Sequence, residues 1–155
     1  MILTAGNFYE TLDKFRVLPE RITSVEEATF KRVYGDVAAA TEKNILYILR
    51  TVEPIPRLKG KSDIVYIGQT KCTLKERYLK YSGRLATTDA NRLKFEHILS
   101  QYGPIRIAFE PYGQFGDSLL KAEGQLLWWY FQNNCEYPPV NYTKTKARNN
   151  ILSVI

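Results

Sequence analysis

The sequence predicts an α+β fold, a small sandwich-like domain in which short strands are set among helices, and three observations predict it. β-Branched and aromatic runs stand at residues 44–50 (NILYILR), 63–69 (DIVYIGQ) and 105–112 (IRIAFEPY), each the length and composition of a strand. Around them, apolar residues recur at the 3.6-residue spacing of helices. Proline and glycine mark the changes of period. At 155 residues the chain can bury a real core in one domain without disulfides or metal as staples.

Taken in order, residues 7–18 carry Phe8, Leu12 and Phe15, and residues 24–34 carry Val25, Ala28, Phe30 and Val33, at helical spacing. Ser24 is a candidate N-cap for the second helix, with Glu26 and Glu27 suited to its first turn and Gly35 to its end. Residues 1–42 therefore read as a helical extension, in which DVAAATEK (36–43) is either helical or a connector. The runs at 44–50 and 63–69 read as an antiparallel hairpin joined by a long basic loop, TVEPIPRLKGKS (51–62). Alternation places Tyr47 with Ile45 and Leu49 on one face, and Tyr66 with Ile64 and Gly68.

After Gly68, TLKERYLKYSG (73–83) fits a short helix with Thr73 and Glu76 as a capping box. A helix from about Asp89 to Gln101, with Leu93, Phe95 and Ile98 as its apolar residues, stops at Gly103 and Pro104. The third strand follows, and then DSLLKAEGQLLWWYFQNN (117–134), a strongly apolar helix expected at the centre of the core. Adjacent Trp128 and Trp129 read as packing anchors and His97, the single histidine, as a surface residue. Residues 143–155 form a basic tail.

Lys and Arg number 22 against 16 Asp and Glu, a formal net charge of +6 spread along the chain. That balance favours polyanionic partners. Cys72 and Cys135 are too distant in sequence for a short-spaced metal pair and read as reduced thiols. The N-terminus lacks the pattern of a signal peptide, and no apolar run reaches the roughly 18 residues of a membrane span. A soluble, cytoplasmic protein with no membrane contact is the expectation.

Five residues then stand in a telling order: Tyr47 closing "ILY", Tyr66 opening "YIG", Arg77 eleven positions later, Glu123 in "KAEGQLLWW", and Asn141 in "PPVNYT". In order and kind this series resembles the GIY-YIG nucleases, over residues 43–142. "YIG" is intact, whereas Ile45 and Leu46 stand where the family usually has glycine and isoleucine. The resemblance implies a three-stranded antiparallel sheet flanked by helices, here with an N-terminal helical extension. It also implies a metal-dependent DNA endonuclease, closest in kind to the small restriction enzymes of the family, cutting as a homodimer if its sites are palindromic.

On that resemblance the catalytic set is Tyr47, Tyr66, Arg77, Glu123 and Asn141. Glu123 is the ligand for Mg²⁺ or Mn²⁺, and Arg77 offers a planar cationic fork to phosphate oxygens. Tyr47 is the candidate to position or deprotonate water, with Tyr66 in the same cluster. A phenol of pKa about 10 needs a neighbouring cation, such as Arg77, Lys71 or the metal, to serve as a base. Lys71 and Tyr81 are assisting candidates. Arg57, Lys59 and Lys61 in the hairpin tip, and Lys144, Lys146 and Arg148 in the tail, are candidate DNA-backbone contacts. Two other readings stay open: a nucleic-acid-binding module on the same fold without cleavage, and a protein-interaction domain docking through its aromatic helix.

Overall fold

A computed structural model describes residues 2–83 and 89–141. Its nine principal elements are α1 (Phe8–Leu12), β1 (Arg16–Val17), α2 (Glu27–Tyr34), β2 (Ile45–Pro56), β3 (Lys61–Thr70), α3 (Leu74–Tyr78), α4 (Asp89–Tyr102), β4 (Arg106–Pro111) and α5 (Leu119–Asn134). The fold is α+β, with one antiparallel sheet of four strands in the order β1-β4-β2-β3.

The fourth strand corrects the three-stranded expectation, and it comes from the second half of the stretch read as one helix over 7–18. Only Phe8–Leu12 is α-helical there; Arg16 and Val17 pair with Phe109 and Ala108. Pro19 disfavours helical geometry at Leu18, and β4 offers an edge to be paired. Leu18 N–H donates to Ile107 O at 2.9 Å and Ile22 N–H to Ile105 O at 2.8 Å, so the chain continues along that edge. The segment before β2 contributes to the core: Phe8, Leu12, Phe15, Phe30, Val33 and Tyr34 are all core residues.

Two layers of helix sandwich the sheet. α2, α3 and α4 cover one face through Phe30, Val33, Leu74, Phe95 and Ile98, against Ile45, Tyr47 and Leu49. α1 and α5 cover the other through Phe8, Leu12, Leu126, Trp129 and Tyr130, against Leu46 and Ile48. Central β2 is accordingly buried without interruption from Ile45 to Thr51, the pattern of a strand covered on both sides.

The long hairpin loop expected over 51–62 is largely strand. β2 runs on to Pro56 and β3 starts at Lys61, leaving residues 57–60 as the turn, with Gly60 at φ +66°, a conformation glycine adopts without penalty. The register shifts between Leu49 and Arg50: Leu49 pairs with Tyr66, Arg50 with Ile64, and Val65 is the extra residue. This bulge overturns the strict alternation expected for β3. Ile64 packs on the α5 face, while Val65 and Tyr66 both belong to the opposite one.

Helix starts follow local chemistry. Ser24 does not cap α2, which begins three residues later; its Oγ lies 2.5 Å from Thr29 Oγ1. Thr73 caps α3, accepting from Glu76 N–H at 3.0 Å, and Ser118 caps α5, accepting from Lys121 N–H at 3.2 Å. Gly103, at φ +88°, ends α4 as expected. On α4, Phe95 and Ile98 are buried whereas Leu93 and His97 are exposed.

Candidate functional site

On the face covered by α2, α3 and α4, four phenols gather. Tyr47 of β2 lies opposite Gly68 of β3 and Leu49 opposite Tyr66, so alternation sets Tyr66 on the same side as Tyr47. The Tyr47 and Tyr66 ring centroids are 5.8 Å apart, and both rings crowd the space above Gly68. A Cβ at Gly68 would meet Tyr66 Cε1 at 2.5 Å, Tyr47 Cζ at 2.6 Å and Tyr47 Oη at 2.7 Å. The glycine of "YIG" is thus the floor on which two tyrosine rings rest, and any side chain there would displace them.

Tyr78 of α3 completes the cluster. Its hydroxyl hydrogen-bonds that of Tyr47, its ring meets Tyr47 edge-on at 5.6 Å, and Tyr34 of α2 stacks on it at 4.8 Å. Arg77, exposed on α3, holds its guanidinium 5.3 Å from the Tyr78 ring centroid, within cation–π reach. These residues, with Asn91 and Phe95 of α4, wall a cavity of about 270 Å³. Tyr47, Tyr66 and Arg77 are therefore brought together.

Sequence reading did not assign Tyr34 and Tyr78 to the site. Tyr78 could have been found as the neighbour of Arg77. Tyr34 carries no local mark, because only tertiary packing sets it over Tyr78.

Burial first, and neighbouring phenols second, push the Tyr34 and Tyr47 hydroxyl pKa well above the ordinary tyrosine value. Tyr78 is also pushed up, chiefly by burial and then by Tyr66; Arg77 partly opposes this and the Glu123 charge adds to it. The expected lowering of Tyr47 by nearby cations is therefore reversed. At neutral pH it is a protonated phenol that donates and accepts hydrogen bonds.

Glu123 lies on α5, only 6 % exposed. It is not among the cavity's walls, although its charge reaches Tyr78. Asn141 acts on β3 itself, which forms the sheet's outer edge: its side-chain amide donates to Ile67 O at 2.8 Å, and its carbonyl accepts from Ile67 N–H at 2.9 Å. Val140 N–H adds a bond to Val65 O at 2.9 Å. This turn segment holds the backbone of "YIG" from outside through one main-chain bond and the two arms of one side-chain amide.

Comparison with protein-family models, curated proteins and solved structures finds no match to this chain.

The remaining candidates disperse. Lys71 lines a separate hollow of about 360 Å³ with Gln69, Tyr112 and Asp117. Tyr81 is exposed beside Lys80, whose ammonium lies 5.0 Å from its ring centroid. The hairpin tip folds back on the C-terminal end of α5. There Arg57 pairs with Glu136 at 2.8 Å and donates to Tyr137 O at 3.1 Å, while Lys59 N–H donates to Asn134 O at 3.1 Å and its ammonium to Gln132 O at 3.3 Å. Those two cations are engaged within the fold; Lys61 is exposed. Lys144, Lys146 and Arg148 lie outside the described residues.

Among the described residues, no three His, Cys, Asp or Glu side chains come together as a metal cluster. One carboxylate nevertheless suits Mg²⁺, which keeps most of its waters and takes further oxygens from a substrate phosphate. Glu123 fits that mode by donor chemistry. No helix among the described residues is long and apolar enough to cross a membrane.

Proposed function

We propose that this chain is a metal-dependent endonuclease of the GIY-YIG type that hydrolyses DNA phosphodiesters, with a small, site-specific restriction enzyme as its closest functional kind. One observation carries the reading. Residues 47, 66 and 77, distant in sequence, meet at one cavity with an exposed guanidinium at its edge, and the Glu123 carboxylate is near enough to bear on a phenol of the cluster.

Hydrolysis of a phosphodiester adds negative charge to the phosphoryl oxygens and requires a positioned water. Arg77, which pairs with no carboxylate among the described residues, binds those oxygens and stabilises the added charge. Glu123 is the residue that would hold Mg²⁺ or Mn²⁺, which when bound acidifies water and neutralises the leaving oxygen. Tyr47, protonated, orients water or a phosphate oxygen by hydrogen bonding rather than by removing a proton, with Tyr66 beside it in the cluster. Asn141 keeps the strand carrying Tyr66 in register.

A second reading, a nucleic-acid-binding module without cleavage, is favoured by the raised Tyr47 pKa, which takes that phenol out of the role of base. Incubating purified protein with several plasmids in Mg²⁺ separates the two. Cleavage lost in Glu123→Ala, and reduced about 10²–10³-fold in Arg77→Ala as for removal of one charge-stabilising donor, supports the nuclease. Salt-sensitive binding with no cleavage supports the second reading. Discrete fragments would indicate site specificity, and sedimentation would show whether the cutting species is a homodimer.

A further inference from the structure

The cavity beside Arg77 is larger than phosphodiester cleavage needs, because a scissile phosphate requires a charged surface rather than an aromatic recess. Its walls are mostly aromatic, the rings of Tyr34, Tyr47, Tyr66 and Tyr78 and two phenylalanines, completed by three aliphatic side chains, with Asn91 and Arg77 as its polar residues besides the phenols. At about 270 Å³ it lies just below the roughly 300–1,000 Å³ of sites for drug-sized ligands. It is sized for one planar ring system, not for a chain of them.

Aromatic walls bind π-faces of any base by stacking. Phenol hydroxyls and an amide can reach donors and acceptors on a ring edge. A guanidinium at the rim disfavours a cationic guest and suits a ring that carries a phosphate. Planar, polar-edged and anionic by attachment describes a nucleotide. A base stacked inside a duplex cannot enter such a recess, so the nucleotide must be unpaired or turned out of the helix.

We propose that this cavity receives one unstacked nucleobase while Arg77 holds an adjoining phosphate, so that the protein engages DNA at unpaired, mismatched or extruded nucleotides. The proposal rests on the nuclease reading for the cutting step, but the binding step stands without it. Protonation of the buried phenols accords with this role, since they meet the base as neutral hydrogen-bonding groups.

The test uses the full chain without divalent ion and oligonucleotides carrying the fluorescent base 2-aminopurine, in single strands, opposite a mismatch, and in matched duplex. Unpaired probes should bind at least about tenfold more tightly than the matched duplex, reflecting the unpairing cost, and change fluorescence on binding. Asn91→Trp, which fills the recess from α4, should weaken unpaired-probe binding roughly 5- to 100-fold, as expected for lost base stacking, with thermal unfolding reporting that the variant is folded. dAMP should compete far better than inorganic phosphate.

Equal affinity for paired and unpaired probes, unchanged binding by a folded Asn91→Trp, or equal competition by inorganic phosphate overturns the base pocket. Glu123→Gln separates the two readings. If it abolishes cleavage while the unpaired-probe signal persists, both stand; if the native chain does not cut while the unpaired-probe signal persists, the nuclease reading fails and the pocket is retained. Glu123-dependent cleavage with no preference for unpaired bases retains the nuclease and removes the pocket.

Discussion

Replacing Gly68 with alanine gives the sharpest test of how the tyrosine cluster is built, because two physical effects predict opposite signs. In a strand interior, alanine loses less conformational freedom than glycine, so entropy alone makes Gly68→Ala stabilising by about 0.5–1 kcal/mol. Packing opposes it. The added methyl would sit 2.5–2.7 Å from atoms of Tyr66 and Tyr47, and Tyr47 is 2 % exposed and tied to Tyr78. Overpacking of this kind costs about 1–3 kcal/mol, and shifting Tyr47 also weakens a hydrogen bond worth about 0.5–1.5 kcal/mol. The net expectation is a loss of about 1–3 kcal/mol, which at this chain length lowers Tm by about 2–10 °C. Urea and thermal unfolding measure it. A second change that shortens one crowding ring, Tyr66→Ser, should recover part of the loss in the double variant, because residues in contact do not add. A Gly68→Ala protein as stable as the native chain, or more stable, would refute the reasoning and return the glycine to an ordinary strand position.

Three further outcomes follow from other parts of the fold. Asn141→Ala strips both backbone groups of Ile67 of their outer partners and should cost about 1–3 kcal/mol, with faster hydrogen exchange at the Ile67 amide; unchanged exchange there would contradict the edge role. Asp63→Ala removes the carboxylate shared by buried Arg50 at 3.0 Å and Arg106 at 3.6 Å, for a loss of about 1.5–3 kcal/mol, whereas Arg50→Met, which deletes the buried charge, should cost less; the reverse ranking in urea unfolding would rule out this account. Raised phenol pKa values in Tyr34, Tyr47 and Tyr78 mean that above pH 10 the native state holds protons the unfolded chain has released. Stability is then full below about pH 10 and falls as pH rises further, by up to about 1.4 kcal/mol per pH unit per group. Tyr47→Phe should flatten that alkaline slope in stability-versus-pH measurements, and a slope left unchanged would place Tyr47 elsewhere.

Much of the fold was legible because periodicity survives in long elements: α4, α5 and the hairpin stand where the residue pattern put them. What failed was local. The strand at Arg16–Val17 has too few residues to show alternation, and it exists because β4 offers an edge and Pro19 denies Leu18 a helix. The hairpin tip read as free basic loop because Arg57 and Lys59 look solvated in sequence, yet the C-terminal carbonyls of α5 and Glu136, distant along the chain, attract them. The bulge at Val65 is likewise invisible in composition, and it turns Ile64 to the α5 face, away from Tyr66, which alternation already sets with Tyr47. At the site, the ordered series located Tyr47, Tyr66 and Arg77, but a series of residue types carries no information about burial. It could not show that Tyr47 is held protonated or that Asn141 spends both halves of its amide on one residue's backbone.

The hydroxyls of the cluster explain why its walls are tyrosine rather than phenylalanine. α3 is five residues long, too short to be stable as an isolated helix, so contacts beyond its own backbone must hold it. Phenylalanine rings would supply stacking and apolar burial, but no directional link between α3 and the sheet. The bond between the Tyr47 and Tyr78 hydroxyls supplies that link, and Tyr34 stacks on the Tyr78 ring from α2. Arg77 is the next residue, with its guanidinium lying over the ring so fixed. The position of the exposed cation is therefore set by two hydrogen-bonded phenols, and Gly68 sets where the first of them can lie. A strand glycine and a helix arginine nine residues on are in this way parts of one mechanical chain, which is the physical content of the "YIG" and arginine spacing in this sequence.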